Sequence, residues 1–358
     1  MHAFENLSSL LREHPKRWLV TGVAGFIGSH LLEQLLDLGQ SVVGVDNFST
    51  GHRSNLDQVL SAAGAEAASR FVLFDGDVCD FHLCRAAADR VDVVLHQAAL
   101  GSVPRSVEDP YASHASNVDG FLNVLLAARE AGVRRIVYAS SSSVYGDDTN
   151  AIKLEAQIGN PLSPYAATKR IDELYADVFA RVYGLETIGL RYFNVFGPRQ
   201  DPKGPYAAVI PRWIENLLRV QPCDLFGDAG KSRDFCYVSN VVQANLLAAL
   251  AGADAVQGGP CNVACGRRTT LLELFEMIRA RVAAHKPIAA SVRLEQRPAR
   301  AGDIEHSLAD ISRARALFGY EPTHDIERGL GETVDWYVRA ARRRRTTGGS
   351  ELVAAAPT

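Results

Sequence analysis

The sequence predicts an α/β fold, a doubly wound parallel sheet carrying a smaller α/β unit, and three observations predict it. Trp18-Leu19-Val20-Thr21 is a short apolar run that meets glycines at 22, 25 and 28 and then apolar residues at helical period. Short apolar runs alternate with helical patterns from there to Ala264, as strands joined by crossover helices require. Carboxylates, serines and a Tyr/Lys pair gather at the C-terminal ends of the predicted strands, where open α/β sheets bind ligands.

The first element carries the most information. A strand turning tightly into a helix leaves the helix N-terminal N–H groups pointing outward, and glycine lets a diphosphate touch the backbone. Gly22, Gly25, Phe26, Ile27 and Gly28 form that turn. The second strand, Ser41 to Val45, ends in Asp46, whose carboxylate accepts hydrogen bonds from adenosine ribose hydroxyls. A negative charge there, with no obvious arginine, favours NAD over NADP. Asn47-Phe48-Ser49-Thr50-Gly51 is a turn that closes over the adenosine side.

Further along, an ill-defined Ala-rich helix at 61–68 precedes the third strand, Phe71 to Phe74. Asp77-Val78 follows; Asp77 suits either the adenine amino group or an N-cap for the helix starting near Phe81. The fourth strand, Asp92 to Leu95, ends in His96-Gln97-Ala98-Ala99, where small residues let the backbone approach the cofactor. Gly101 to Ser106 reads as a ligand-facing loop. A long helix is expected over 110–131, with Asn117 either a buried bridge or a solvated position. The fifth strand, Arg134 to Ala139, ends at Ser140-Ser141-Ser142-Ser143-Val144-Tyr145-Gly146.

Pro164-Tyr165-Ala166-Ala167-Thr168-Lys169 then opens a helix to about Tyr183. Tyr165 and Lys169 lie one turn apart on one helix face. A free tyrosine, with a pKa of about 10, is a poor base at neutral pH. A lysine cation alongside, together with a positive nicotinamide ring, stabilises the phenolate. A serine hydroxyl bonds the substrate oxygen and shares the proton. Such a set removes an alcohol proton while hydride leaves the same carbon.

Bulk properties bound the remaining classes. The 358 residues are 47% hydrophobic and 22% charged, with a net charge of −3, which makes no electrostatic case for nucleic acid or acidic membranes. Cys79, Cys84, Cys223, Cys236, Cys261 and Cys265 are scattered without a C-x-x-C pair, so free thiols in a reducing cytoplasm are expected. No metal-ligand spacing occurs, and no apolar run reaches the ~18 residues of a membrane span. Residues 1–16 read as a short amphipathic arm rather than a signal peptide. Arg342 to Arg345 and the tail to residue 358 read as a solvated, disordered end.

Taken together, TGVAGFIGSH, DNFSTG, SSSSVYG, PYAATK and Arg191-Tyr192-Phe193-Asn194-Val195-Phe196-Gly197-Pro198 resemble the extended short-chain dehydrogenase/reductases acting on nucleotide sugars. Among these the sequence is most similar to the UDP-hexose 4-epimerases, in particular those acting on UDP-N-acetylglucosamine, and the likeness runs from about Trp18 to Tyr337. It implies a Rossmann-type NAD domain at 17–195 with 236–264, and a discontinuous nucleotide-sugar domain at 196–235 with 265–341. It implies Ser141 as catalytic serine, Tyr165 as base and Lys169 as its partner, with Asn117 and Tyr192 joining the cofactor set. Related 4,6-dehydratases and UDP-glucuronate decarboxylases carry an acidic residue in the serine motif. Ser142 and Ser143 stand there instead, which argues against elimination.

The same resemblance implies a substrate set of Gly101, Ser102, Ser141, Ser142, Ser143, Asn194, Ala208, Val209, Phe226, Arg233, Arg300, Asp303 and Ser307. Phe226 would flank uracil, and Arg233 and Arg300 would clamp the diphosphate, guanidinium forks being suited to phosphate oxygens. Ser307 takes the place of a gate beside C2 of the sugar, where a tyrosine would exclude an N-acetyl group. The expected activity is NAD-dependent interconversion of UDP-N-acetylglucosamine and UDP-N-acetylgalactosamine through a 4-keto intermediate, with UDP-glucose and UDP-galactose as further substrates, in polysaccharide biosynthesis. The alternatives are a UDP-glucuronate 4-epimerase and a non-catalytic NAD-binding member. A cytoplasmic homodimer is expected, paired through the long helices at 110–131 and 165–183.

Overall fold

In the computed structural model the described residues are 3–203, 207–252, 254–255, 259–298 and 306–348, with side chains as far as Arg343 in the last helix. Seven strands form one parallel sheet: β1 (Arg17–Thr21), β2 (Ser41–Asp46), β3 (Phe71–Asp75), β4 (Val93–His96), β5 (Arg135–Ser141), β6 (Glu186–Tyr192) and, after four short strands elsewhere, β11 (Cys261–Val263). Their order is β11-β6-β5-β4-β1-β2-β3. The direction of winding reverses between β1 and β4, and a crevice opens outside their C-terminal ends. Trp18 pairs with Val42 on one side and Val93 on the other. Helices cover both faces, which is why β1 and β4 read as continuous apolar runs rather than alternating ones.

Each crossover is helical. In chain order the helices are α1 (Ala3–Glu13), α2 (Phe26–Asp37), α3 (Arg53–Ala68), α4 (Phe81–Ala87), α5 (Val103–Glu108), α6 (Pro110–His114), α7 (Gly120–Glu130), α8 (Pro164–Tyr183), α9 (Val209–Arg219) and α10 (Val238–Ala249). The N-terminal arm is α1, whose Leu7 and Leu11 are buried in the core beneath the sheet.

Four local expectations change. The third helix begins at Arg53 rather than in the Ala-rich stretch, and Gly64 (φ +83°) kinks it. The loop at 101–106 turns helical from Val103, because the Ser102 hydroxyl accepts from Arg105 N and proline stands in the first turn. The helix expected over 110–131 forms as one continuous run but carries a π turn at Ala115–Asp119 between α6 and α7. The C-terminal helix runs Ile326–Gly348, so Arg342 to Arg345 continue it instead of starting a disordered end. Arginine is a good helix former, and no breaker intervenes before the glycines.

A separate apolar core lies beyond the sheet. Trp213 and Ile214 of α9 pack with Leu225 of β8 (Cys223–Phe226), Phe275 and Ile278 of α11 (Leu271–His285), and Leu330 and Val334 of the last helix. Two short parallel pairings lie outside the main sheet: β7 (Val195–Phe196) with β10 (Cys236–Tyr237), and β8 with Leu294–Arg297 within this core.

Candidate active site

The turn from β1 into α2 is built for an anion. Gly22 holds φ +68°, and a Cβ at Gly28 would lie 2.0 Å from Gly22 O, so only glycine lets the helix begin against that turn. Gly25 caps α2 without any side-chain bond, leaving the first-turn N–H groups for a ligand. Asp46 is fixed beside it: its two oxygens accept from Ala24 N and Phe48 N, both at 2.8 Å. Burial raises its carboxyl against those bonds. Asp77 accepts from Asn47 Nδ2 at 2.6 Å and from Cys79 N at 2.8 Å. Burial opposes its ionisation, but these bonds win and hold it below the usual carboxylate value. The cap of α4 is Asp80, not Asp77, which leaves Asp77 facing the crevice.

These groups line a cleft of about 350 Å³. Its wall contains Gly22, Gly25, Phe26, Ile27, Gly28, Asp46, Asn47, Ser49, Thr50, Gly51, Asp77, Val78, Gln97, Ala98 and Ala99, all expected at a dinucleotide site. Gly101, expected on the substrate side, lines it as well. His52, Asn55, Leu100, Ser116, Arg199 and Asp201 join it without having been expected. His52 Nε2 stands 3.2 Å from Asp201 Oδ2, bridging the turn after β2 to the segment after β7. Arg199 holds φ +64°, and its Nη2 donates to Glu33 at 2.5 Å and to His30 Nδ1 at 2.7 Å. The motif ending in Gly197-Pro198 was visible in the sequence, but nothing local to it says that Arg199 folds back onto α2.

Asn117 and Tyr192 act one step away from this wall. Asn117 is fully buried in the π turn; its Oδ1 accepts from Leu100 N at 2.7 Å and its Nδ2 donates to Thr168 Oγ1 at 3.0 Å. It is the buried bridge, joining the cleft to α8. Tyr192 OH donates to Gln97 Oε1 at 3.0 Å and accepts from Asn245 Nδ2 at 2.8 Å, so it orients the Gln97 amide.

The Ser/Tyr/Lys set sits on the adjoining strand end and helix, outside that wall. Ser141 closes β5, its Oγ accepting from Ser143 N at 3.1 Å and Ser143 Oγ at 2.9 Å. Ser142 opens the 3₁₀ turn that follows. Ser163 caps α8 through Ala166 N, with Pro164 in the first turn. Tyr165 is half-buried there, and its hydroxyl makes no hydrogen bond with the described residues. One turn on, Lys169 is 1% exposed; its Nζ donates to Ala139 O at 3.0 Å and to Asp172 Oδ2 at 3.1 Å. A phenol, an ammonium and hydroxyls so disposed can move a proton to or from an alcohol. Ser102 holds φ +102° in the loop beneath, strain of the kind found at ligand-binding turns.

A second cleft, of about 320 Å³, opens in the smaller core. Asn194, Ala208, Val209, Phe226 and Arg233 line it, with Gln200, Trp213 and Asp224. The segment from Arg199 to Asp201 is a shared wall: Arg199 and Asp201 face the first cleft and Gln200 the second. Asn194 holds φ +32° and donates to Asp234 O at 3.1 Å. Ser307 is 7% exposed and its N donates to Ser232 O at 3.1 Å, directly beside Arg233. Arg300 and Asp303 lie outside the described residues.

Known proteins share this arrangement. Residues 18–264 match the NAD dependent epimerase/dehydratase family. A UDP-glucose 4-epimerase of Mycolicibacterium smegmatis is 38% identical over 90% of this chain and 98% of its own. A UDP-glucuronate 4-epimerase of Thermodesulfobacterium geofontis is 31% identical over 89% and 95%. The solved UDP-N-acetylglucosamine 4-epimerase from Methanobrevibacter ruminantium, in complex with UDP-N-acetylmuramic acid, superposes with a TM-score of 0.81 at 36% identity, covering 91% of this chain and 99% of that one. With a sheet that reverses at β1 and β4, a glycine turn backed by Asp46, Ser141 at the end of β5 and Tyr165 and Lys169 on α8, the chain belongs to the NAD dependent epimerase/dehydratase family and uses NAD as its cofactor.

Proposed function

We propose that this protein is an NAD-dependent UDP-sugar 4-epimerase that interconverts UDP-N-acetylglucosamine and UDP-N-acetylgalactosamine. The observation that carries the reading is the pair of clefts sharing the Arg199–Asp201 wall, one with a dinucleotide's donors and acceptors, the other with Phe226 and Arg233. Gly22 to Gly28 and Asp46 hold the cofactor's diphosphate and ribose, and Asp77 its adenine. Phe226 flanks uracil, and Arg233 with Arg300 holds the substrate diphosphate.

NAD held in the first cleft would supply a reversible hydride acceptor for C4 of the sugar. Tyr165 takes the 4-hydroxyl proton and later gives it back, Lys169 stabilises the phenolate, and Ser141 bonds the same oxygen. The Ser141 hydroxyl is supported in this by Ser143, whose bond can turn to substrate. While the sugar turns, Arg233 keeps the diphosphate in place. Small residues at Ala208 and Ser307 support an N-acetyl group beside C2, as does the likeness to the solved acetyl-sugar epimerase.

The remaining proposals follow the same reading. Residues 17–195 with 236–264 form the NAD domain, and 196–235 with 265–341 the sugar-nucleotide domain. A homodimer forms through α8, whose Leu174, Val178 and Val182 leave an apolar stripe beside Val107 and Tyr111 on α5 and α6. The six free cysteines suit a reducing cytoplasm. Among the described residues no helix is long and apolar enough to cross a membrane.

Purified protein should turn UDP-N-acetylglucosamine into UDP-N-acetylgalactosamine, followed by the anomeric NMR signals, with no NAD added. It should release NAD on denaturation. Turnover confined to UDP-glucuronate would overturn the substrate assignment, and NADH accumulating in step with product would overturn epimerisation itself.

A further inference from the structure

Lys169 has a partner that the Ser/Tyr/Lys pattern does not contain. Asp172, on the same face of α8, is 1% exposed, and its Oδ2 lies 3.1 Å from Lys169 Nζ. Its Oδ1 is also buried and has no hydrogen-bond partner among the described residues. Ala139 O takes a second N–H of the ammonium at 3.0 Å. An ammonium has three donors, so the two acceptors fix the direction of the third.

Around this pair, Glu173 pushes the Asp172 carboxyl up and His114 pulls it down, both more weakly than Lys169. Glu173, next along α8, is held by Arg191 at 2.8 and 2.9 Å and by Ser140. On α6, His114 is exposed and faces Asp119. On β5, burial pushes the Tyr138 phenol upward, so it stays neutral. On β4, burial and then Lys169 press His96 down to about 3, so it too is neutral. Among the described residues Asp172 is the carboxylate bonded to Lys169.

We propose that Asp172 is a positioning residue for Lys169, aiming its free N–H and setting how much positive charge reaches Tyr165. The inference rests on the catalytic reading of Tyr165 and Lys169. A buried carboxylate beside the ammonium offsets part of the field that stabilises a phenolate. Burial raises Asp172 to about 6 against the pull of Lys169, so below that pH it becomes neutral and the offset is withdrawn. The charge that Lys169 presents to Tyr165 therefore depends on a residue that does not touch the substrate.

Two variants of the NAD-loaded enzyme test this. Asp172→Asn keeps the shape and an acceptor but removes the charge permanently. The acid limb of its kcat profile should move to lower pH by about one unit, with KM for the UDP-sugar little changed. Asp172→Ala removes acceptor and charge together, so the ammonium loses its aim; kcat should fall about tenfold or more while KM holds. A role in folding alone would lower thermal stability in both variants and leave the Asp172→Asn profile in place, which overturns the proposal. An acid limb moving to higher pH overturns it as well. Lys169→Met separates the two levels. If it is inactive while the Asp172→Asn profile is unmoved, this inference alone fails. If it keeps full turnover, the catalytic reading fails and takes the inference with it.

Discussion

Ser140 Oγ donates to Glu173 Oε1 across 2.7 Å, and this bond ties the strand bearing the serines to the helix bearing Tyr165 and Lys169. Arg191 of β6 completes the joint: its Nε and Nη2 grip both oxygens of Glu173, and its Nη1 reaches Tyr145 OH at 3.1 Å. Glu173 and Arg191 are 3% and 2% exposed. The relative position of Ser141 and Tyr165 is thus held by a buried ion pair.

Removing one member of such a pair leaves the other charge buried and alone. Glu173→Ala should lower unfolding free energy by about 3–5 kcal/mol, read from the urea midpoint at constant m-value. Glu173→Gln, which keeps the shape and an acceptor, should cost less. A loss under about 1 kcal/mol for the alanine variant would show that the joint is replaceable.

Tyr165→Phe keeps the ring and removes the proton acceptor. Turnover should drop on the order of 10²–10⁴-fold, with UDP affinity by calorimetry unchanged. Near-normal activity would move the base to another residue.

Choice of sugar is tested at Ser307. Overpacking a fitted site typically costs about 1–3 kcal/mol, and each 1.4 kcal/mol is roughly tenfold in kcat/KM. Ser307→Tyr should depress kcat/KM for the acetylated sugars by about tenfold or more and spare UDP-galactose. An unchanged ratio between the two substrates would remove Ser307 from the sugar pocket.

Acid lability should carry a signature of His30. Burial, and then the Arg199 charge, lower its pKa from 6.5 to about 3. Its Nε2–H donates to Pro198 O and its Nδ1 accepts from Arg199, so the folded state holds it neutral. Between those two values the unfolded chain binds a proton that the folded chain does not, and stability falls as pH falls. Burial acts the other way at Asp172 and Asp234, each raised to about 6, so the wild-type curve alone is ambiguous. The comparison with His30→Gln, which retains one donor and one acceptor, isolates the histidine. Wild type should lose about 1.4 kcal/mol more per pH unit than the variant between about pH 6 and 4. Parallel curves would mean that His30 is protonated in the folded protein.

Much of the fold is written in local pattern. Strand β1, the glycine turn and the apolar face of α2 declare themselves within one stretch, because a tight strand-to-helix turn needs glycine at Gly22 and Gly28 whatever packs around it. Asp46 and the Tyr165–Lys169 spacing are legible for the same reason: each follows from the period of the element that carries it. The order of motifs along the chain then makes the family recognisable.

Other features depend on segments far apart in sequence, and the tertiary structure alone decided them. Asn117 read equally well as buried or solvated until the π turn carried it to Leu100 and Thr168. Arg199, Asp201 and His52 gave no sign of sharing a wall, since that requires the chain after β7 to return to α2 and α3. Nothing in the sequence around Asp172 sets it apart from the other polar positions of α8. The physical reason is common to all of these: periodicity says which face of an element is apolar, but not which buried charge will find an opposite charge. That pairing is a long-range electrostatic choice, and in this protein it determines how the lysine beside Tyr165 is held.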